Sequence, residues 1–93
     1  MPLFFFHIVS PNERIEDPEG LELTDVDTAR REAVESLRSI ISHEVRQGIL
    51  GLDEWIEVVD FRGDLLLVVR SGDVLTLTTA RNSKEDTVKA LRP

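Results

Sequence analysis

The sequence predicts an α+β domain, an antiparallel β-sheet of four or five strands in ββαββ order packed on one long α-helix. Three observations predict it. The chain opens with an apolar run, Leu3 to Val9, in which Phe4, Phe5 and Phe6 are consecutive. Its middle carries a single helical stripe, and two β-rich runs joined by turn residues follow that stripe.

Alternate side chains of a strand point to opposite faces, so Phe4, Phe6 and Ile8 line one side of the first strand and Leu3, Phe5, His7 and Val9 the other. Both faces are apolar, and each needs a cover. Ser10, Pro11 and Asn12 are turn formers, and Arg14 to Asp17 returns as a second strand that Pro18, Glu19 and Gly20 break. Thr24 and Asp25 then offer N-cap oxygens, with Asp27 in the first turn. Behind them Val26, Ala29, Ala33, Leu37, Ile40, Ile41 and Val45 recur at spacings of three and four, which predicts a helix over 26–47 that stops at Gly48.

After the connector Ile49 to Glu54, the runs Trp55 to Asp60 and Leu65 to Arg70 form a second hairpin around Phe61, Arg62, Gly63 and Asp64. They repeat the two-sided pattern: Ile56 and Val58 oppose Trp55, Glu57 and Val59, while Leu65, Leu67 and Val69 oppose Leu66, Val68 and Arg70. Gly72 and Asp73 make a further turn, and Val74 to Thr79 reads as a fifth, Thr-rich edge strand. Ser83 and Asp86 resemble a capping box, with Val88 and Leu91 seating a short C-terminal helix. The organisation is therefore one domain over 1–76 followed by a polar tail over 77–93.

Composition narrows the function classes. The chain has 93 residues, 18 acidic and 11 basic, for a net charge of −7. That charge repels a phosphate backbone, so nucleic acid is not an expected partner. The balance is uneven: from Leu77 onward Arg81, Lys84, Lys89 and Arg92 outnumber Glu85 and Asp86. There is no cysteine, which removes disulfides, thiolate nucleophiles and sulfur-ligated metals. No apolar run approaches the roughly 18 residues needed to span a bilayer, and the N-terminus lacks a basic leader, so the expected setting is cytoplasmic, without a membrane partner.

No catalytic, cofactor-binding or metal constellation emerges. His43-Glu44 begins like a zinc-protease helix motif, but Gln47 stands where the second histidine belongs. Asp25 and Asp27 fail as a calcium loop because the turn glycine falls at Arg30. Gly48 and Gly51 are far from any Lys-Ser or Lys-Thr pair, so no phosphate loop exists. Glu57, Asp60 and Asp64 read as solvated carboxylates around the second hairpin, and His7 as a hydrogen-bonded structural histidine. No enzyme and no cofactor is the expectation.

What remains is apolar surface. One helix covers one sheet face, which leaves Leu3, Phe5, Val9, Trp55 and Val59 as the candidate interaction surface. Self-association, an unidentified protein partner or the C-terminal segment would each cover it. The alternative is a small-ligand-binding or enzymatic domain with a pocket near His7.

Several of these residues also carry a resemblance. Met1-Pro2, the aromatic triplet closing in Phe6-His7-Ile8, the stretch Ile15-Glu16-Asp17-Pro18-Glu19-Gly20-Leu21-Glu22-Leu23 and the helix after Asp25 resemble the DUF6894 family of small, chiefly alphaproteobacterial proteins of unknown function. The likeness covers about residues 1–75, and its most specific part is Phe6-His7-Ile8 together with the Asp17 to Gly20 turn. It implies an aromatic–histidine strand, an Asp-x-x-Gly turn, a helix and a closing pair of strands. It implies no activity, cofactor or catalytic residue. The strand–helix–strand order is also similar, in architecture only, to small antitoxin-like domains of the HicB type, which act by protein contact.

Overall fold

The computed structural model describes residues 1–75, in which seven elements follow one another: β1 (Leu3–Val9), β2 (Arg14–Ile15), β3 (Leu21–Glu22), α1 (Val26–Arg46), β4 (Trp55–Val59), β5 (Leu65–Arg70) and α2 (Ser71–Val74). The five strands form one antiparallel sheet in the order β2-β1-β4-β5, with β3 also paired to β1. The fold is α+β. The apolar strands β1 and β4 are central, and the two-residue strands β2 and β3 share the outer side of β1.

Register assigns the faces. Phe6 stands opposite Val58 and Ile8 opposite Ile56, while Val58 and Ile56 stand opposite Leu67 and Val69. These residues meet Ala29, Ala33, Leu37 and Ile41 of α1 in the core, with Phe4 and Val74. The small Ala29 and Ala33 bring the helix close to the sheet. Leu37 then fills the centre and is fully buried. The stripe ends in water, since Val26 and Val45 are exposed.

Capping sets the helix ends. The Asp25 side chain accepts from the Thr28 N–H at 2.8 Å, and Asp27 places a negative charge near the positive end of the helix. At the other end Gly48 adopts φ 84°, which lets its N–H reach the Val45 carbonyl and the Ile49 N–H the Glu44 carbonyl, both at 2.9 Å. This pairing satisfies the Val45 carbonyl and gives a second donor to the Glu44 carbonyl, which also accepts from the Gln47 N–H. The helix stops at Arg46, one residue before the predicted end, because Gln47 is already the cap.

Three differences from the sequence reading concern short elements. The second strand ends at Ile15 rather than Asp17, because Asp17 leaves the ladder to bond with its side chain. The fifth strand is Leu21–Glu22, held by its pairing to Leu3 and Phe4 and by the Leu23 N–H on the Pro2 carbonyl at 3.0 Å. The predicted edge strand at Val74 to Thr79 does not begin at Val74, which closes α2 and is buried beside α1. Residues 76–79 of that strand, and the helix predicted from Ser83 to Leu91, lie outside the described residues.

The start of β4 is tied to both helices. The Glu54 carbonyl accepts from the Ser71 N–H at 2.9 Å and the Ser71 hydroxyl at 2.8 Å, which satisfies that fully buried side chain. One α2 turn later the Val74 carbonyl accepts from Arg38 Nε at 2.8 Å. The Glu54 side chain is less comfortable. Its Oε1 is buried with no hydrogen-bond partner among the described residues. Burial, and then the neighbouring Glu44 and Asp53 carboxylates, push its carboxyl up to about 7. Among the described residues no helix is long and apolar enough to cross a membrane.

Two measurements check this packing. Leu37→Ala is expected to lower unfolding free energy by about 2 to 5 kcal/mol in a denaturant titration, because the small helix face cannot collapse into the space. Near-zero loss would mean that Leu37 does not sit between helix and sheet. Glu54 holds its proton more tightly when folded, so the stability linked to it is full below the ordinary carboxylate range and lost as pH rises through about 7. Glu54→Gln is expected to remove that loss, gaining about 1 to 2 kcal/mol over the parent chain at mildly alkaline pH after allowance for solvent screening. Parallel stability–pH curves for the two proteins would contradict it.

Candidate functional site

The face of the sheet turned away from α1 is built by the other alternating residues. Phe5 stands opposite Val59, His7 opposite Glu57, and Val9 opposite both Trp55 and, on its other side, Arg14. Arg70 continues this last row beyond Trp55, and Val68 continues the middle row beyond Glu57. Leu66 follows where the ladder is irregular at Val58/Val59.

All five residues expected at the interaction surface lie on this face. They divide into two kinds. Leu3, Phe5 and Trp55 are half-buried, whereas Val9 and Val59 retain only 8% and 7% of their exposure and form the floor beneath their neighbours. Leu66, 39% exposed, and the half-buried Val68 extend the apolar surface towards β5. The alternation of the β5 run contains that signal, since Leu66 and Val68 fall between the inward-facing Leu67 and Val69.

A polar network runs through the same face. Glu57 Oε1 accepts from Arg14 Nη1 at 2.9 Å, and Oε2 accepts from Trp55 Nε1 at 3.1 Å. Arg14 also donates through Nε to Glu16 at 3.0 Å. The Trp55 N–H holds the Glu57 carboxyl below the usual range; burial opposes this, and Arg14 and His7 add to the lowering. Glu57 is therefore a sheet residue that fixes the Trp55 ring, not a solvated turn carboxylate. Asp60 does belong to the turn, where its Oδ1 accepts from the Arg62 and Asp64 N–H groups, both at 2.9 Å.

The outer edge of β1 carries the second polar feature. Between the β2 and β3 pairings, Phe6 presents an N–H with no strand opposite. Asp17 Oδ2 accepts it at 3.2 Å. The Asp17 N–H donates in return to His7 Nδ1 at 3.1 Å, while Asp17 Oδ1 accepts from Glu19 and Gly20 at 3.2 and 3.1 Å. Burial alone would raise the Asp17 carboxyl. The N–H donors of Gly20, Phe6 and Glu19, with the nearby His7, outweigh it and hold the group below its ordinary range. Gly20 closes the turn with φ 76°, and a Cβ there would come within 2.9 Å of Phe5 Cε2. Only glycine fits both requirements.

This geometry defines what His7 offers. A ring nitrogen that accepts a main-chain N–H is unprotonated, so in the neutral ring Nε2 carries the hydrogen. While the bond to Asp17 stands, neither nitrogen has a free lone pair for a metal or a substrate proton. Among the described residues no group of three or more His, Asp or Glu side chains gathers in a metal-binding arrangement.

The aromatic–histidine strand and the Asp-x-x-Gly turn thus meet as one unit. Residues 3–72 match the family described as a domain of unknown function, DUF6894. The chain belongs to this family. No curated protein and no solved structure gives a significant match. The matched span of DUF6894 runs from the first residue of β1 to the start of α2, and so takes in the whole sheet, α1 and the His7–Asp17 clasp.

Asp17→Ala is expected to cost about 1 to 3 kcal/mol, because it strips the acceptor from three main-chain N–H groups at once. Asp17→Asn separates charge from shape. The carboxylate's contribution is full above the unfolded carboxylate range and lost as pH falls through the lower folded value, so the Asn variant is expected to show a shallower acid limb in its stability profile. An acid limb identical to the parent's would assign that sensitivity to other groups.

Proposed function

We propose that this DUF6894 domain is a non-catalytic interaction module that self-associates through the sheet face turned away from α1. The observation that carries this reading is the run of half-buried or exposed apolar side chains Leu3, Phe5, Trp55, Leu66 and Val68 on a face that no other described element covers. Monomers seldom leave a contiguous patch of several hundred Å² wet, and at about 25 cal/mol per Å² its burial supplies several kcal/mol gross.

Charge supports a second copy as the occupant. The chain as a whole is acidic, with a net charge of −7, and two copies repel each other over most of their surface. On this face Arg14 and Arg70 stand among Glu16, Glu22 and Glu57, a net charge of about −1 against −7 for the whole chain. A like-charged partner meets less repulsion there than the charge of the whole chain would give. The internal Arg14–Glu57–Trp55 network also orders the large Trp55 ring before contact, which lowers the entropy lost on association. A ligand pocket at His7 has less support, since Nδ1 already serves the Asp17 turn.

Leu66→Lys tests the reading with little risk to the fold, because Leu66 is already solvent-accessible. Sedimentation at several concentrations is expected to show self-association of the parent chain and a shift to monomer in the variant, with an unchanged far-ultraviolet dichroism spectrum. A parent chain that stays monomeric across the range, or a variant that associates equally well, would overturn it.

A further inference from the structure

The clasp on the outer edge of β1 holds its turn by few bonds, and one of them depends on the charge of a histidine. Of the hydrogen bonds that Asp17 makes among the described residues, those from Glu19 and Gly20 to Oδ1 lie within the turn. Two others tie the turn to β1: the Phe6 N–H to Asp17 Oδ2 at 3.2 Å, and the Asp17 N–H to His7 Nδ1 at 3.1 Å. The second needs a lone pair on Nδ1. A proton placed there turns the acceptor into a donor, and two N–H groups then point at each other across 3.1 Å.

The imidazolium has other partners close by. Its charge acts on Asp17 of the turn and on Glu57, which stands opposite His7 on β4, and Arg14 of β2 with its partner Glu16 lies beyond Glu57. Glu22 of β3 and Arg70 of β5 belong to other rows, opposite Leu3 and Trp55, and β1 carries no further charge. Protonation thus exchanges a main-chain contact for a carboxylate. We infer that His7 is a proton-operated latch: protonation at Nδ1 breaks its bond to the Asp17 N–H, loosens the Asp17–Gly20 turn from β1 and withdraws the edge support that Gly20 gives the Phe5 ring. Histidine is the side chain that ordinarily changes charge between about pH 5 and pH 8. Asp17 and Glu57, held below the ordinary carboxylate range, keep their charge there. Glu54, pushed up to about 7, changes charge in the same window, but at the start of β4 and with the opposite effect on stability.

The latch acts within one chain, whatever the sheet face binds. In isotopically labelled protein taken from about pH 8 to about pH 5, the Nδ1 signal of His7 is expected to pass from its lone-pair form to its protonated form. With the same midpoint, hydrogen-exchange protection of the Asp17 amide is expected to fall about tenfold relative to that of Leu37 in α1, and the Phe5 ring signals to shift. His7→Asn brings a non-titrating acceptor to the position of Nδ1 and is expected to flatten the response, whereas Glu54→Gln and Leu66→Lys are expected to preserve it. A ring still unprotonated at Nδ1 at about pH 5, or one that protonates while Asp17 protection and the Phe5 signals stay unchanged, would overturn the latch. So would a response that survives in His7→Asn or disappears in Glu54→Gln, and one lost in Leu66→Lys would belong to self-association instead.

Discussion

The reciprocal hydrogen bonding of His7 and Asp17 is the constraint on which the rest of the sheet depends. β1 is central, yet on its outer side it meets two strands of only two residues each, separated by a turn. A ladder interrupted in this way leaves a main-chain N–H at Phe6 without a strand partner, and an unpaired donor there costs as much as a lost hydrogen bond. One carboxylate oxygen replaces the missing carbonyl, and the other closes the turn that brings it there. The imidazole then takes the single N–H that this manoeuvre leaves over. Removing either side chain exposes a donor that the other cannot satisfy. Two short strands can therefore flank β1 only because a histidine and an aspartate complete the edge between them.

The same clasp determines the character of the sheet's free face. Gly20 lies against the Phe5 ring at a distance that excludes any side chain, so the turn fixes Phe5 from the edge while Val59 supports it from the neighbouring strand. One row further along, Arg14 reaches across Val9 to Glu57, which in turn holds the Trp55 indole. The two large aromatic groups are thus each oriented by a polar or main-chain device rather than by a covering layer. On the helix side the logic is the reverse: Ala29 and Ala33 carry no polar atom and let α1 approach until Leu37, Ile56 and Val58 are fully buried. One face is closed by packing. The other is ordered without being closed.

The helix, the three longer strands β1, β4 and β5 and the division of β1 into two faces were legible because each rests on periodicity, which needs only one element to be seen. β3 was not, since Leu21 and Glu22 show no alternation and form a strand solely because Leu3 and Phe4 offer an edge. The Thr-rich run after Gly72 illustrates the converse. Its propensity suggests a strand from Val74, but burial against α1 and the Arg38 bond hold Val74 in a helical turn. Of the free face, the sequence revealed which side chains share it but not which are exposed: Val9 and Val59 look as available as Phe5 until their cross-strand neighbours are in place. The clasp was visible only as two separate motifs. Their joint purpose lies in hydrogen bonds across 10 and 11 residues that no local pattern encodes.

The carboxyl groups complete the argument, because they are shifted in opposite directions at separate places. Asp17 and Glu57 serve the free face and its edge, where N–H and cationic donors favour the charged form. Their contribution disappears as pH falls. Glu54 sits where β4 begins, beneath the end of α1, and burial beside Glu44 favours its neutral form. Its contribution disappears as pH rises through about 7. The acid side reports Asp17 and Glu57 together with Asp25, which the Thr28 groups at the α1 N-cap hold low, whereas the alkaline side reports Glu54 where α1, β4 and α2 meet. A cation brought to the Glu44–Glu54 pair would move the alkaline side alone, whereas burial of the Arg14–Glu57 network against another protein would move the acid one. The free sheet face and the start of β4 are thus separable by proton linkage.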